Sequence, residues 1–332
     1  MNLSERRARL GASDVEVTRL GFGAAPIGNL FAPVADRDAA GAVDAAWRSG
    51  IRFFDTAPLY GHGLSEKRIG AALRAHRREE FVLATKVGRL LVPDESPPDH
   101  GFVETSPFRP VFDFSFDATL RALDESLARL GTDRVDVLHV HDPDDHVDDA
   151  LRGAFRALRR LRDDRVVRAI GGGMNRSAPL ARFVREAGVD CVLLAGRYTL
   201  LDQSALDDLL PACVASGVSV IAGGVFNSGL LADPSPRATY DYAPAPPPLV
   251  ARARRLAAVC ARHGVDLKAA ALRFPRAHPA VACVLTGART AAEMAQNARL
   301  FAAPIPLALW DDLRRERLLD DRAPTPEAER EP

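Results

Sequence analysis

The stretch IRFFDTAPLYGHGLSEKRIGAALRAH, residues 51–76, holds a complete strand–loop–helix unit. IRFF (51–54) is a short apolar run of the kind a buried strand uses. SEKRIGAALRAH (65–76) spaces its apolar residues along one helical face. Between them lie Asp55 and Tyr60, in a segment closed by Gly61. A buried strand that ends on a carboxylate, with a phenol shortly after, needs a reason. Taken singly, Asp55 could cap the next segment and Tyr60 could simply pack.

The same unit recurs along the chain. Further apolar runs are LGFGA (20–24), FVLAT (81–85), VDVLHV (135–140), VVRAI (166–170), DCVLL (190–194), VSVIA (218–222) and VACVL (281–285). Helical patterns separate most of them. DRDAAGAVDAAWRSG (36–50) begins on Asp36 as a capping residue and stops at Gly50. Ser115 caps FDATLRALDESLARLG, which stops at Gly131. LDDLLPACVASG and LVARARRLAAVCARHG behave alike.

Strand–helix alternation implies a parallel α/β fold. Eight repeats in a chain of 332 residues predict a closed (β/α)8 TIM barrel, one domain over 15–320. Residues 1–14 form a short leading segment, and 321–332 read as a disordered polar tail. An open doubly wound sheet is the runner-up. It would carry a G-x-G-x-x-G turn after its first strand, and GFGAAPIG (21–28) does not match. Two long loops, 87–114 and 223–248, follow the third and seventh strands, on the rim where barrel enzymes build their sites.

Composition narrows the function. The net charge is zero, 47% of residues are hydrophobic and 27% are charged, the profile of a soluble globular chain. No basic stripe suits nucleic acid or an anionic membrane, and no apolar run approaches a membrane span. MNLSERRARLG lacks an apolar signal core, so the expected location is cytoplasmic. Cys191, Cys213, Cys260 and Cys283 show no C-x-x-C spacing and read as reduced and structural. No H-E-x-x-H or Cys/His cluster suggests a metal, and no G-x-S-x-G a hydrolase. Of 44 cationic residues only three are lysines, Lys67, Lys86 and Lys268. Lys67 and Lys268 lie on polar helical patterns, whereas Lys86 ends the apolar run FVLATK.

Asp55, Tyr60, Lys86 and His141 therefore fall near the ends of three successive strands, and in a barrel those ends converge on one rim. The chemistry such a group supports is proton transfer coupled to hydride transfer. A free phenol has a pKa of about 10, too high for a base near neutrality. An adjacent ammonium favours the phenolate, and a carboxylate keeps the ammonium charged in an apolar setting. His141 would donate a hydrogen bond to the substrate oxygen and orient it.

The segments D-T-A-x-x-Y-G, T-K and H-D-P, in this order and spacing, resemble the aldo-keto reductase family from about Val15 to about Leu319. The resemblance implies a (β/α)8 barrel that binds a nicotinamide dinucleotide without a Rossmann domain. It also implies a tetrad of Asp55, Lys86, His141 and Tyr60, with Tyr60 as the general acid or base. Asn175 sits where the family holds the nicotinamide carboxamide. Met174, Ala195 and Gly223 replace the serine, glutamine and stacking aromatic usual beside it. GGVFNSGLL is similar to the family's pyrophosphate loop, offering Gly224, Phe226, Asn227, Ser228, Gly229 and Leu230.

TGARTAAEMAQN (286–297) resembles the adenosine-phosphate site, with Gly287, Arg289, Glu293 and Asn297 as candidate contacts. NADP-using members commonly carry basic residues where this chain has Gly287 and Glu293. A carboxylate there would repel a 2′-phosphate and accept from a ribose diol, so the expected cofactor is NAD rather than NADP. T-A-A-E is equally an ordinary helix start.

FGAAPIGNLF, LYGHGLSEKRIG, KVGRLL, HVHDPDDH, AGRYTLLDQ and AGGVFNSGLL are most similar to the sugar-oxidising branch of the family. That implies NAD-linked oxidation of an aldose at its anomeric C1–OH to the lactone, with L-fucose-type sugars as candidates and Tyr60 taking the hydroxyl proton. A ring hemiacetal of pyridoxal presents a similar C–H and O–H pair, so pyridoxal oxidation is the alternative. A general NADPH-dependent aldehyde or ketone reductase is another, and a nicotinamide-binding regulatory subunit is the non-enzymatic one. Phe102, Phe108, Arg109, Phe112, Tyr240, Arg197 and Asn29 are candidate pocket residues.

Overall fold

A computed structural model of the chain describes residues 3, 7–98, 100–241 and 243–326. Eight parallel strands close into a barrel. They are β1 (Leu20–Gly23), β2 (Phe53–Asp55), β3 (Val82–Val87), β4 (Val137–His141), β5 (Ala169–Met174), β6 (Cys191–Ala195), β7 (Ser219–Gly223) and β8 (Val281–Thr286). Sequential neighbours pair throughout, and β8 closes on β1 with Val284 opposite Leu20. Each strand feeds a helix on the outer face: α1 (Asp36–Arg48), α2 (Leu64–Leu73), α3 (Phe116–Leu130), α4 (Ala154–Asp163), α5 (Ser177–Glu186), α6 (Leu209–Ser216), α7 (Leu267–Arg273) and α8 (Ala291–Ala302). Further helices cover Val147–Arg152, Pro247–Arg262 and Leu307–Arg315. Among the described residues, no helix is long and apolar enough to cross a membrane.

Alternation along each strand explains why β2 ends on a carboxylate. Side chains two apart share a face. Phe53 belongs to the cluster inside the barrel, whereas Phe54 packs outward under the helices. Asp55 therefore points inward, one layer above Phe53. Val82 and Ala84 lead to Lys86 on β3 in the same way, and Val137 leads to His139 and His141 on β4. The barrel is apolar at its floor and ionisable at its top.

The floor is closed from below. Arg7–Arg9 pairs antiparallel with Glu16–Thr18, and Leu10, Val15 and Val17 pack into the inner cluster. The expected boundary at residue 14 thus lies within one hairpin. At the other end, the start of the anticipated tail is held: Ala323 is buried and its carbonyl accepts from Arg314. Residues 327–332 lie outside the described residues.

Three local expectations are corrected. VVRAI contributes only its last two residues to β5, which runs on through Gly171, Gly172 and Gly173. A Cβ at Gly171 would stand 2.2 Å from the Cys191 carbonyl oxygen and 2.6 Å from the His139 ring, so glycine is required there. Asp36 is the first residue of α1 but makes no side-chain cap; its carboxylate accepts from Arg68 Nε at 2.9 Å. The 87–114 segment is not plain loop: Arg89–Pro93 and Phe108–Phe112 form an antiparallel ribbon over the rim. Ser115 does cap α3, accepting from the Ala118 N–H, and Gly131 ends it at φ +65°.

Candidate active site

Three residues, Ser65, Gly61 and Glu66, fix the segment that carries Tyr60. Ser65 Oγ donates to the Ala24 carbonyl and shares a hydrogen bond with Thr56 Oγ1. Gly61, at φ +62°, brings its backbone so close to Gly28 that a Cβ would lie 2.5 Å from the Gly28 oxygen. The loops after β1 and β2 are therefore locked backbone to backbone. Glu66, fully buried on α2, accepts from Thr85 on β3 and pairs with Arg129 on α3 at 2.6 Å. The helix behind Tyr60 is thus tied to both neighbours.

Lys86 is 1% exposed, and its ammonium donates to Asp55 Oδ2 at 2.6 Å and to the Thr56 carbonyl at 2.8 Å. The same nitrogen lies 4.7 Å from the centre of the Tyr60 ring. The His141 ring meets that of Tyr60 edge-on, with centroids 5.7 Å apart. The four residues singled out from separate strand ends are thus one cluster. Burial raises the Asp55 pKa above the ordinary carboxylate value, and Lys86 opposes the rise. Burial, then the cations Lys86 and Arg89, hold His141 well below the ordinary imidazole value. Its ring is neutral near pH 7 and offers one N–H donor.

Above the cluster opens a cavity of about 250 Å³. Leu30, Leu59 and Phe102 form one wall; Arg89, Asp142 and Asp144 lie on another. Backbone contacts join the segments that carry this lining, with Leu30 bridging Phe102 and Phe31 N–H donating to the Gly101 carbonyl. Of the candidate pocket residues, Phe102 lines this cavity. Phe108 and Phe112 lie on the rim ribbon, where Arg109 pairs with Asp94. Arg197 is committed to Asp241 and the Tyr240 hydroxyl, and Asn29 to the Val34 N–H and Arg68.

A second cleft of about 200 Å³ shares Tyr60, Leu193 and Ala195 with the first and runs past Gly223, Gly224, Ser228 and Gly287. Its backbone is closely packed: a Cβ at Gly224 would stand 2.9 Å from the Gly196 nitrogen, and one at Gly223 would stand 3.3 Å from Leu193. Asn175 and Met174 line the first cavity beside it. These residues suit a flat ring followed by a backbone-bound pyrophosphate.

Other candidate cofactor contacts are divided. Gly229 is at φ +101° with open space around it. Asn227 is buried, its side chain accepting from Thr199 and donating to the Gly196 carbonyl, so it braces the loop. Leu230 is buried in the core, and Phe226 packs against it. Asn297 donates to Thr286 Oγ1 and to the Gly287 carbonyl. Glu293 is exposed and accepts from the Arg289 N–H at 2.7 Å, while Thr290 caps α8 through the Glu293 N–H. The ordinary helix start anticipated for T-A-A-E is therefore present. Arg289 donates to the Leu30 carbonyl.

Sequence reasoning missed Arg89, Asp142 and His139. Arg89 donates to Asp142 Oδ2 at 3.1 Å and covers the Phe112 ring at 4.4 Å. His139 is fully buried, neither ring nitrogen has a partner among the described residues, and burial, then Lys86, lower its pKa to about 3. Strand alternation could have found His139, since it shares a face with His141. The four cysteines are buried and free of disulfides, and burial pushes Cys213 and Cys260 up to about 12.

The sequence profile of the Aldo/keto reductase family matches residues 19–315. This chain is an aldo-keto reductase. It is 44% identical to D-threo-aldose 1-dehydrogenase of a Pseudomonas species, over 98% of this chain and 100% of that one. It is 41% identical to pyridoxal 4-dehydrogenase of Microbacterium luteolum, over 96% and 99%. Among solved structures, an aldo-keto reductase of Bacillus halodurans in its holo form superposes with a TM-score of 0.71 at 25% identity, covering 98% of this chain and 99% of that one. The chain is thus an oxidoreductase of a family that uses nicotinamide cofactors on small-molecule substrates.

Proposed function

We propose that this aldo-keto reductase oxidises an aldose at C1 to the lactone, with NAD as the preferred cofactor. The observation that carries the reading is the buried Asp55–Lys86 pair beneath Tyr60, at the junction of the cavity and the glycine-lined slot. When bound, the nicotinamide supplies the hydride acceptor. Tyr60 takes the C1 hydroxyl proton, Lys86 favours the phenolate, and Asp55 compensates the Lys86 charge. His141, as a neutral donor, orients the reacting oxygen. Asn175 is the candidate for the carboxamide; Gly224, Ser228 and Gly229 supply backbone to the pyrophosphate.

The aldose assignment rests on the relative at 44% identity that spans both whole chains. The preference for NAD rests on the adenosine end. Glu293 places a carboxylate on the first turn of α8, and a Cβ at Gly287 would lie 2.5 Å from Pro26. A basic side chain is absent at one position and crowded out at the other. Pyridoxal oxidation is the second reading, favoured by the relative at 41%.

A panel of L-fucose, D-arabinose, L-galactose and pyridoxal against NAD and NADP, read as absorbance of the reduced cofactor, tests the assignment. Turnover of an aldose with NAD is expected. Turnover of pyridoxal alone would transfer the activity to the second reading. Reduction of carbonyls with NADPH alone would refute both the direction and the cofactor.

A further inference from the structure

The charged wall of the cavity is not used by the proton-transfer cluster, yet it is built with care. Asp142 follows His141 directly and sits at φ +42°, in the left-handed region that few non-glycine residues adopt. Its backbone N–H donates to the Gly173 carbonyl at 3.0 Å, which fixes that turn on β5. Its Oδ2 accepts from Arg89 at 3.1 Å and lies 3.4 Å from His141 Nε2. Its Oδ1 accepts nothing among the described residues. Arg89 is drawn inward from the rim ribbon, its guanidinium held over the Phe112 ring, with its side chain 13% exposed. Both residues line the cavity beside Tyr60.

A carboxylate 3.4 Å from the imidazole that would face the reacting oxygen is placed for an oxygen on the neighbouring carbon. An ionised carboxylate accepts only, so its partner must be an O–H or N–H donor. The guanidinium donates only. Together they select a ligand with adjacent groups that donate and accept, which is the pattern of vicinal hydroxyls. Leu30, Leu59 and Phe102, lining the same cavity, offer the apolar surface a pyranose face stacks against.

We propose that Asp142 and Arg89 are the specificity-determining pair of this enzyme, Asp142 accepting from the hydroxyl next to the reacting carbon and Arg89 holding that carboxylate and donating to a further substrate oxygen. The inference rests on the aldose reading and adds the residues that recognise the sugar. Burial raises the Asp142 pKa to about 6, against the opposing pull of Arg89 from the ribbon and Lys86 from β3; Asp144, in its own loop, raises it further, and His141 faces it from β4. Recognition through this carboxylate therefore weakens as pH falls through about 6.

The test compares wild type, Asp142→Asn and Arg89→Met with an aldose and its 2-deoxy analogue in the presence of NAD. Both steady-state turnover and calorimetric binding are measured. Asparagine tolerates a left-handed backbone, so the turn survives the first substitution. A hydrogen bond to a charged group predicts that Asp142→Asn raises KM for the aldose about 10- to 100-fold, with a much smaller change for the 2-deoxy sugar. Wild type should show a rise in KM below about pH 6, and the variant should lose it. Equal losses on both sugars, or an unchanged KM in both variants, would overturn the proposal while leaving the aldose reading intact. Aldose binding that depends on Asp142 but gives no turnover would uphold the pair and refute the aldose reading. No aldose bound or turned over by wild type would end both.

Discussion

The residues at the centre of the site differ in how much each owes to its neighbours. Tyr60 contacts Phe102 and His141 through its ring, so removing only its hydroxyl leaves the packing in place. Tyr60→Phe is expected to lower kcat by at least about 100-fold, the scale of a positioned acid or base, while cofactor binding, followed by quenching of protein fluorescence, stays as in wild type. Full turnover in that variant would dismiss Tyr60 as the proton acceptor. Lys86 was legible because lysine is scarce in this chain and this one ends an apolar run. Arg89 was not, since it is one of 41 arginines and its role depends on a ribbon folding back over the rim. Asp142 was not singled out in the sequence; it sits in the left-handed turn after β4, and its proposed role depends on the cavity it lines.

At the scale of single elements, signals carried by adjacent residues held and those needing a partner did not. Ser115 and Gly131 bound α3 through contacts within four residues, so the sequence pattern sufficed. Asp36 has the right chemistry for a cap, but Arg68, 32 residues away, takes its carboxylate. The strand β5 shows the same dependence. Its glycines look like turn residues, yet the Cys191 carbonyl and the His139 ring occupy the space a side chain would need at Gly171. Gly171→Ala is therefore expected to destabilise the protein by at least about 1–3 kcal/mol, the usual cost of overpacking. Urea denaturation measures this, and wild-type stability would contradict the spacing of β5 against its neighbours.

For the whole molecule, the barrel buries an imidazole at its axis, and that links stability to pH. An unfolded histidine titrates at about 6.5, whereas His139 in the fold titrates at about 3. Between those values the unfolded chain binds a proton that the folded chain refuses. The stability contributed above pH 6.5 is thus lost as pH falls toward 3. Between pH 7 and pH 5 this single group should cost about 2 kcal/mol. His139→Leu should lose about that much less over the same interval in urea titrations; an equal loss would show that another group carries the slope. Strand alternation, the order of the elements and the four ionisable strand ends are properties of the sequence itself, because side-chain period and helix caps act over a few residues. Convergence of those ends into one cluster, the closing of the floor by the N-terminal hairpin and the pairing of Arg89 with Asp142 came only with the tertiary structure, because each joins residues tens of positions or more apart. The motif around Asp55 and Tyr60 thus pointed to the proposed chemistry, and the fold supplied its walls.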